Sequence, residues 1–86
     1  MNVDIRNKLP PDAVVFDNYA YDNSIIGVTF DGRAIYCFED MVKELMKEEG
    51  WEELGELAAI EWIEYNAMRA LPYAGEKAPI VVNAGY

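Results

Sequence analysis

Apolar and polar positions along the chain change period near residue 38, and that change divides the sequence into a strand-forming part and a helix-forming part. Residues 24–38 hold two strand-like runs joined through Asp31-Gly32. A pair so tolerant of positive φ predicts a two-residue hairpin turn that matches strand twist. Pairing Phe30 with Arg33 sets Val28 opposite Ile35 and Ile26 opposite Cys37 on one face. Ile25, Gly27 and Thr29 then meet Phe38, Tyr36 and Ala34 on the other. The first face is the more aliphatic and is expected to meet the helices.

From Phe38 onward Met41, Val42, Leu45 and Met46 form an apolar stripe with Lys43, Glu44, Lys47 and Glu48 outside it, the pattern of an amphipathic helix. Gly50 fits its C-terminal cap. A second helix is expected from about Glu52 to Leu71. Its apolar residues (Leu54, Leu57, Ala58, Ala59, Ile60, Trp62, Ile63, Tyr65, Ala67, Met68, Ala70 and Leu71) surround most of the circumference and predict burial on more than one side. Pro72 should end it, because proline lacks a donor and disfavours helical geometry in the preceding residue.

Two shorter runs complete the picture. Residues 13–16, between Pro11-Asp12 and Asp17-Asn18, suit a short strand, and residues 79–82 read as another, with proline at the tolerated first position. Between the first of these and the hairpin, Asp17, Asn18, Asp22, Asn23 and Ser24 favour an ordered loop through local bonds to backbone. Residues 1–11 form a lead segment ending at the stiff Pro10-Pro11 pair, Met1 reads as a genuine start, and the tail 83–86 frays unless Tyr86 packs back. The expected fold is α+β in one domain, 1–86. It is a small, mainly antiparallel sheet of three or four strands, covered on one face by two helices, with Ile26, Val28, Ile35, Val42, Leu45, Ile63, Ala67 and Val81 central to the core.

Eighty-six residues suit one domain of modest stability. A 52% hydrophobic and 13% aromatic content argues for a folded chain despite a net charge of −9. Cys37 is the single cysteine and cannot close an internal disulfide, and the sequence shows neither a secretory leader nor a membrane-spanning run. A cytoplasmic protein is expected.

The charge is concentrated. Between Glu39 and Glu64 ten acidic residues face only Lys43 and Lys47, which predicts a negative potential reaching about 8 Å in physiological salt. Such a field repels nucleic acid and attracts basic protein surfaces. One reading is a solvated face that keeps an apolar domain soluble. The sharper reading is that spaced carboxylates imitate nucleic-acid phosphates and occupy a basic groove on another protein. Glu44, Glu48, Glu52, Glu53, Glu56 and Glu64 are the candidate contacts, with Trp51 as a possible anchor after Gly50 at the helix junction.

Catalysis is hard to assemble. The chain has no histidine, so the usual base near neutral pH is missing, and alternation sends Cys37 to an apolar strand face. Paired carboxylates for glycoside chemistry need a deep cleft that separates their pKa values. Asp17, Asp22 and Asn23 lack the spacing of a calcium loop and read as turn caps, and the glycines are too scattered for a phosphate loop. No enzyme activity, metal or cofactor is expected. Arg69 lies on the same helix side as Trp62 and Tyr65, where it can stack while pairing with Asp17 or Asp22. Trp62, Tyr65, Tyr73 and Tyr86 read first as packing residues and second as an aromatic patch.

The runs Asp22-Asn23-Ser24-Ile25-Ile26-Gly27-Val28, Asp31-Gly32-Arg33-Ala34 and Glu64-Tyr65-Asn66, with the stretch from Arg69-Ala70-Leu71-Pro72-Tyr73 through Ala78-Pro79-Ile80, resemble small uncharacterised proteins of phages and mobile elements in gut Firmicutes. The likeness spans roughly residues 13–82. It brings no established reaction or mapped site, but it implies a genomic context in which small acidic proteins include inhibitors of host nucleases and CRISPR effectors. The functional expectation is a non-enzymatic interaction protein acting on a basic, nucleic-acid-binding host protein. It would bind neither nucleic acid nor membrane directly. The alternative is an assembly module, such as a homodimer, whose acidic residues serve only solubility.

Overall fold

The computed structural model describes residues 8–51, 53 and 55–83. Most of the expected lead segment, Leu54 of the second helix and Tyr86 of the tail lie outside them. Three strands, β1 (Ile25–Val28), β2 (Ala34–Cys37) and β3 (Ile80–Val82), form one sheet in the order β1-β2-β3. Two helices, α1 (Phe38–Glu49) and α2 (Glu56–Asn66), lie between β2 and β3 in sequence, and 3-10 segments at Tyr19–Ser24 and Met68–Tyr73 flank the sheet elements. The fold is α+β. The sheet is mixed: β2 pairs antiparallel with β1 and parallel with β3, because the helical crossover returns the chain along β2 in the same direction.

The hairpin differs from its expected register. Thr29 N–H donates to the Arg33 carbonyl at 2.8 Å and Gly32 N–H to the Thr29 carbonyl at 3.0 Å, so Phe30-Asp31-Gly32 form a three-residue loop with Gly32 at φ +88°. Arg33 N–H also donates to Thr29 Oγ1 at 2.9 Å, and the Thr29 hydroxyl donates to the Asp31 carboxylate. These local bonds favour closure at Thr29 over the two-residue turn. Val28 therefore pairs with Ala34 and Gly27 with Ile35, and an irregularity at Ile26 restores Ile25 opposite Tyr36.

A one-residue change of register exchanges the two faces of a strand. The core takes Ala34 and Tyr36, both fully buried, with Ile25 packed against them. Ile26 and Val28, expected at the centre of the core, are 56% and 46% exposed, and Ile35 is half-buried. Val42, Leu45, Ile63 and Ala67 are buried as expected, and Val81 packs against the cluster they form with Tyr21, Met41 and Ala59.

Residues 13–16 do not join a strand ladder. Val14 N–H reaches the Lys77 carbonyl at 3.3 Å and Phe16 N–H reaches the Tyr36 hydroxyl at 3.2 Å, isolated bonds that tie the segment in place of a strand ladder. The loop that follows contains the 3-10 segment Tyr19–Ser24, capped by Asn18, whose Oδ1 accepts from Ala20 N–H at 2.9 Å. Arg33 Nε donates to the Ala78 carbonyl at 2.8 Å and Lys77 Nζ to the Asp31 carbonyl, which stitches the hairpin loop to the entry of β3.

Helix α1 ends as the sequence predicts. Gly50 adopts φ 69°, ψ 34°, and both its N–H and that of Trp51 donate to the Met46 carbonyl. The second helix is shorter than expected: Gly55, at φ 87°, precedes its first residue, and the α geometry stops at Asn66. Pro72 acts several residues upstream of itself. It denies the chain a donor and disfavours α geometry at Leu71, so Met68–Tyr73 tightens into 3-10 turns, with Ala70 N–H bonding the Ala67 carbonyl at 3.2 Å.

Candidate interaction surface

The carboxylates do not lie on a single helix side. At about 100° per residue, Glu39 and Glu44 are separated by about 140° around α1, and they flank its buried stripe of Met41, Val42 and Leu45. Glu44 and Glu48 line a groove with Tyr19, Ala20, Asn23 and Lys47. Glu39 and Glu56 line a different groove, between the helices, over Phe38, Val42 and Ile60. Glu44 is half-buried and already engaged: Asn23 Nδ2 donates to its Oε1 at 3.0 Å, and Lys47 Nζ lies 3.6 Å from its Oε2. Glu48, Glu53, Glu56 and Glu64 are exposed, and Glu52 lies outside the described residues.

Burial of α2 is confined to one stripe, Ala59 and Ile63, continued by Ala67. The expectation that this helix is covered on several sides fails, since among the described residues it packs chiefly against α1 and the 3-10 segment that follows it. Its apolar excess therefore faces outward. Leu57 is 74%, Tyr65 67% and Trp62 44% exposed. Leu57, Glu61, Glu64 and Tyr65 follow the i, i+4, i+7, i+8 spacing of one stripe, so exposed apolar groups and carboxylates interleave.

Two aromatic relationships organise this side. Trp51, half-buried, meets Trp62 edge-to-face with ring centroids 5.5 Å apart, joining the chain after α1 to α2. The Arg69 guanidinium lies 4.8 Å from the Tyr65 ring centroid, as the helix spacing suggested. No ion pair from Arg69 to Asp17 or Asp22 accompanies the stack among the described residues.

A cavity of about 340 Å³ opens beside Trp62, between residues 14–18 and the segment running from Asn66 to Ala74. Nothing in the local sequence pattern signalled it, because it arises from residues 13–16 standing off the sheet. Elsewhere, Cys37 is buried, and its Sγ lies 3.3 Å from Glu39 Oε1. The bond from the Thr29 hydroxyl holds the Asp31 carboxyl below its usual range, with Lys77 and Arg33 contributing. Among the described residues no group of three or more His, Cys, Asp or Glu side chains is arranged to hold a metal ion, and no helix is long and apolar enough to cross a membrane.

Comparison with protein-family models, curated proteins and solved structures finds no match.

Proposed function

We propose that this chain is a non-enzymatic interaction protein of a phage or mobile element, acting in the cytoplasm on a basic, nucleic-acid-handling host protein through the outward side of α2. The observation that carries the reading is the interleaving of exposed Leu57, Tyr65 and Trp62 with exposed Glu61 and Glu64. Large apolar side chains left uncovered in this density mark contact surfaces, since water contact with them is unfavourable. The carboxylates among them select a partner surface of positive charge and speed its approach. The reading differs from pure phosphate mimicry in giving the apolar groups the affinity and the acidic groups the selectivity.

Affinity capture from host lysate at low and at about 0.5 M salt tests the proposal. A basic nucleic-acid-binding protein retained at low salt, weakened by salt and by Glu61→Lys with Glu64→Lys, supports it. Capture indifferent to both removes it.

One observation favours a second reading, an assembly module. The edge strand β1 carries exposed Ile26 and Val28 next to Phe30, without a charged residue between Ile25 and Phe30. Self-association through this edge would persist at high salt and be lost on Ile26→Lys.

A further inference from the structure

We propose that the cavity beside Trp62 is a socket for one large apolar side chain of a partner protein that is flanked by lysine or arginine. The inference rests on the interaction reading above and specifies its partner.

The space follows from the fold. Residues 14–18 are held off the sheet by the bonds from Val14 and Phe16, and the facing wall presents Ala67, Ala70 and Ala74, whose side chains end at Cβ. Phe16, Tyr21, Trp62 and Leu71 supply the remaining apolar bulk. At about 340 Å³ the cavity is at the small end of ligand sites, suited to one bulky side chain rather than an extended cofactor. Trp62 both lines the cavity and is exposed on α2, so the socket adjoins the proposed contact surface.

Charge selects the occupant. Among the described residues Asp17 is the one charged residue lining the cavity; it is exposed, and no ion pair or hydrogen bond with another described residue engages its carboxylate. An exposed carboxylate lining a cavity that an indole ring also lines favours an ammonium or guanidinium group. A chain of net charge −9 further disfavours an acidic ligand. An apolar group inside and a cation at Asp17 describe a Leu, Phe or Trp side chain next to Lys or Arg in a peptide.

The test is selection from a random displayed peptide library on the whole protein at low salt, followed by titration of selected peptides against variants. Recovery of an apolar residue beside a basic one is expected. Ala70→Phe and Ala74→Leu, each filling the space, should weaken binding roughly tenfold or more, with folding checked by circular dichroism and thermal melting. Asp17→Asn should reduce the preference for a basic over a neutral flank. Absence of the motif, or filling variants that bind as tightly as the parent, overturns the socket. Loss of binding in Leu57→Ala with Tyr65→Ala, without any effect of filling, keeps the interaction reading and overturns the socket alone. Hexylamine binding that Ala70→Phe abolishes, where no peptide binds, overturns the peptide assignment in favour of a small cationic amphiphile.

Discussion

The hydroxyl of Tyr36, a fully buried residue of the central strand, accepts a hydrogen bond from the Phe16 amide 3.2 Å away, while the two rings pack with centroids 4.7 Å apart. Twenty residues separate them in sequence. The contact fixes residues 13–16 against the core without placing them in the sheet, and so defines one wall of the cavity beside Trp62.

Tyr36→Phe keeps the ring packing and removes the acceptor. It should destabilise the protein by about 1 kcal/mol, measured by urea denaturation. Hydrogen exchange at the Phe16 amide should accelerate more than exchange in β2. Uniform acceleration across both segments would contradict the assigned role of the bond.

The Trp51 and Trp62 rings join the chain segments on either side of Gly55. A double-mutant cycle with Trp51→Leu and Trp62→Leu should give a coupling of about 0.5 to 1.5 kcal/mol. Additive losses would show that each indole packs independently.

Two glycines give opposite expectations. Gly50 sits at φ 69°, and a Cβ added there would meet nothing within 4 Å. The cost of Gly50→Ala is therefore purely conformational, about 1 kcal/mol, and Gly50→Asn should cost less because asparagine tolerates the left-handed region. At Gly27 the φ is not positive, and an added Cβ would meet Ile35 Cδ1 at an ordinary 3.9 Å. Gly27→Ala should be neutral or stabilising. Thermal melts of the three variants decide the order.

Elements governed by local chemistry were legible in the sequence. The α1 stripe and its Gly50 cap needed only a period and a left-handed residue, and both stand where expected. The hairpin was legible as a hairpin but not in its register, because the contest between a two-residue and a three-residue loop is decided by Thr29, whose side chain and backbone both bind Arg33. That single choice placed Tyr36 rather than Ile26 in the core. The sequence pattern alone extends the second helix too far because Pro72 tightens the turns before it, and the apolar width that suggests burial is in large part exposure. Of the candidate contacts, Glu48, Glu53, Glu56 and Glu64 are exposed, whereas Glu44 is bound to Asn23 and Lys47. The cavity depends on contacts between distant segments, which a periodicity cannot encode.

Ser24 is fully buried, and its Oγ has no hydrogen-bond partner among the described residues. A buried, unpaired hydroxyl carries its desolvation cost without a compensating bond. Ser24→Ala should therefore leave stability unchanged or raise it by up to about 1 kcal/mol, while Ser24→Val should destabilise by overpacking. A clear loss in Ser24→Ala, measured by denaturant titration, would mean that the hydroxyl is satisfied in solution.

Tyr21 links the 3-10 segment to the core, and its hydroxyl ionises less readily than the ordinary value of 10.0, first because burial penalises the phenolate and second because the Glu49 carboxylate opposes a second negative charge. The folded chain thus holds this proton more tightly than the unfolded chain. Stability from this source is fully present below about pH 10 and is lost as pH rises through the higher folded value, where the unfolded state releases the proton first. Tyr21→Phe should flatten the fall in stability above about pH 10 relative to the parent, and Glu49→Gln, by bringing the folded value closer to the unfolded one, should reduce that fall by a smaller amount. Unfolding free energies measured from neutral to strongly alkaline pH separate these outcomes: a difference between parent and Tyr21→Phe that does not change with pH would mean that the phenol is already solvated, and would remove Tyr21 from the core it is assigned to.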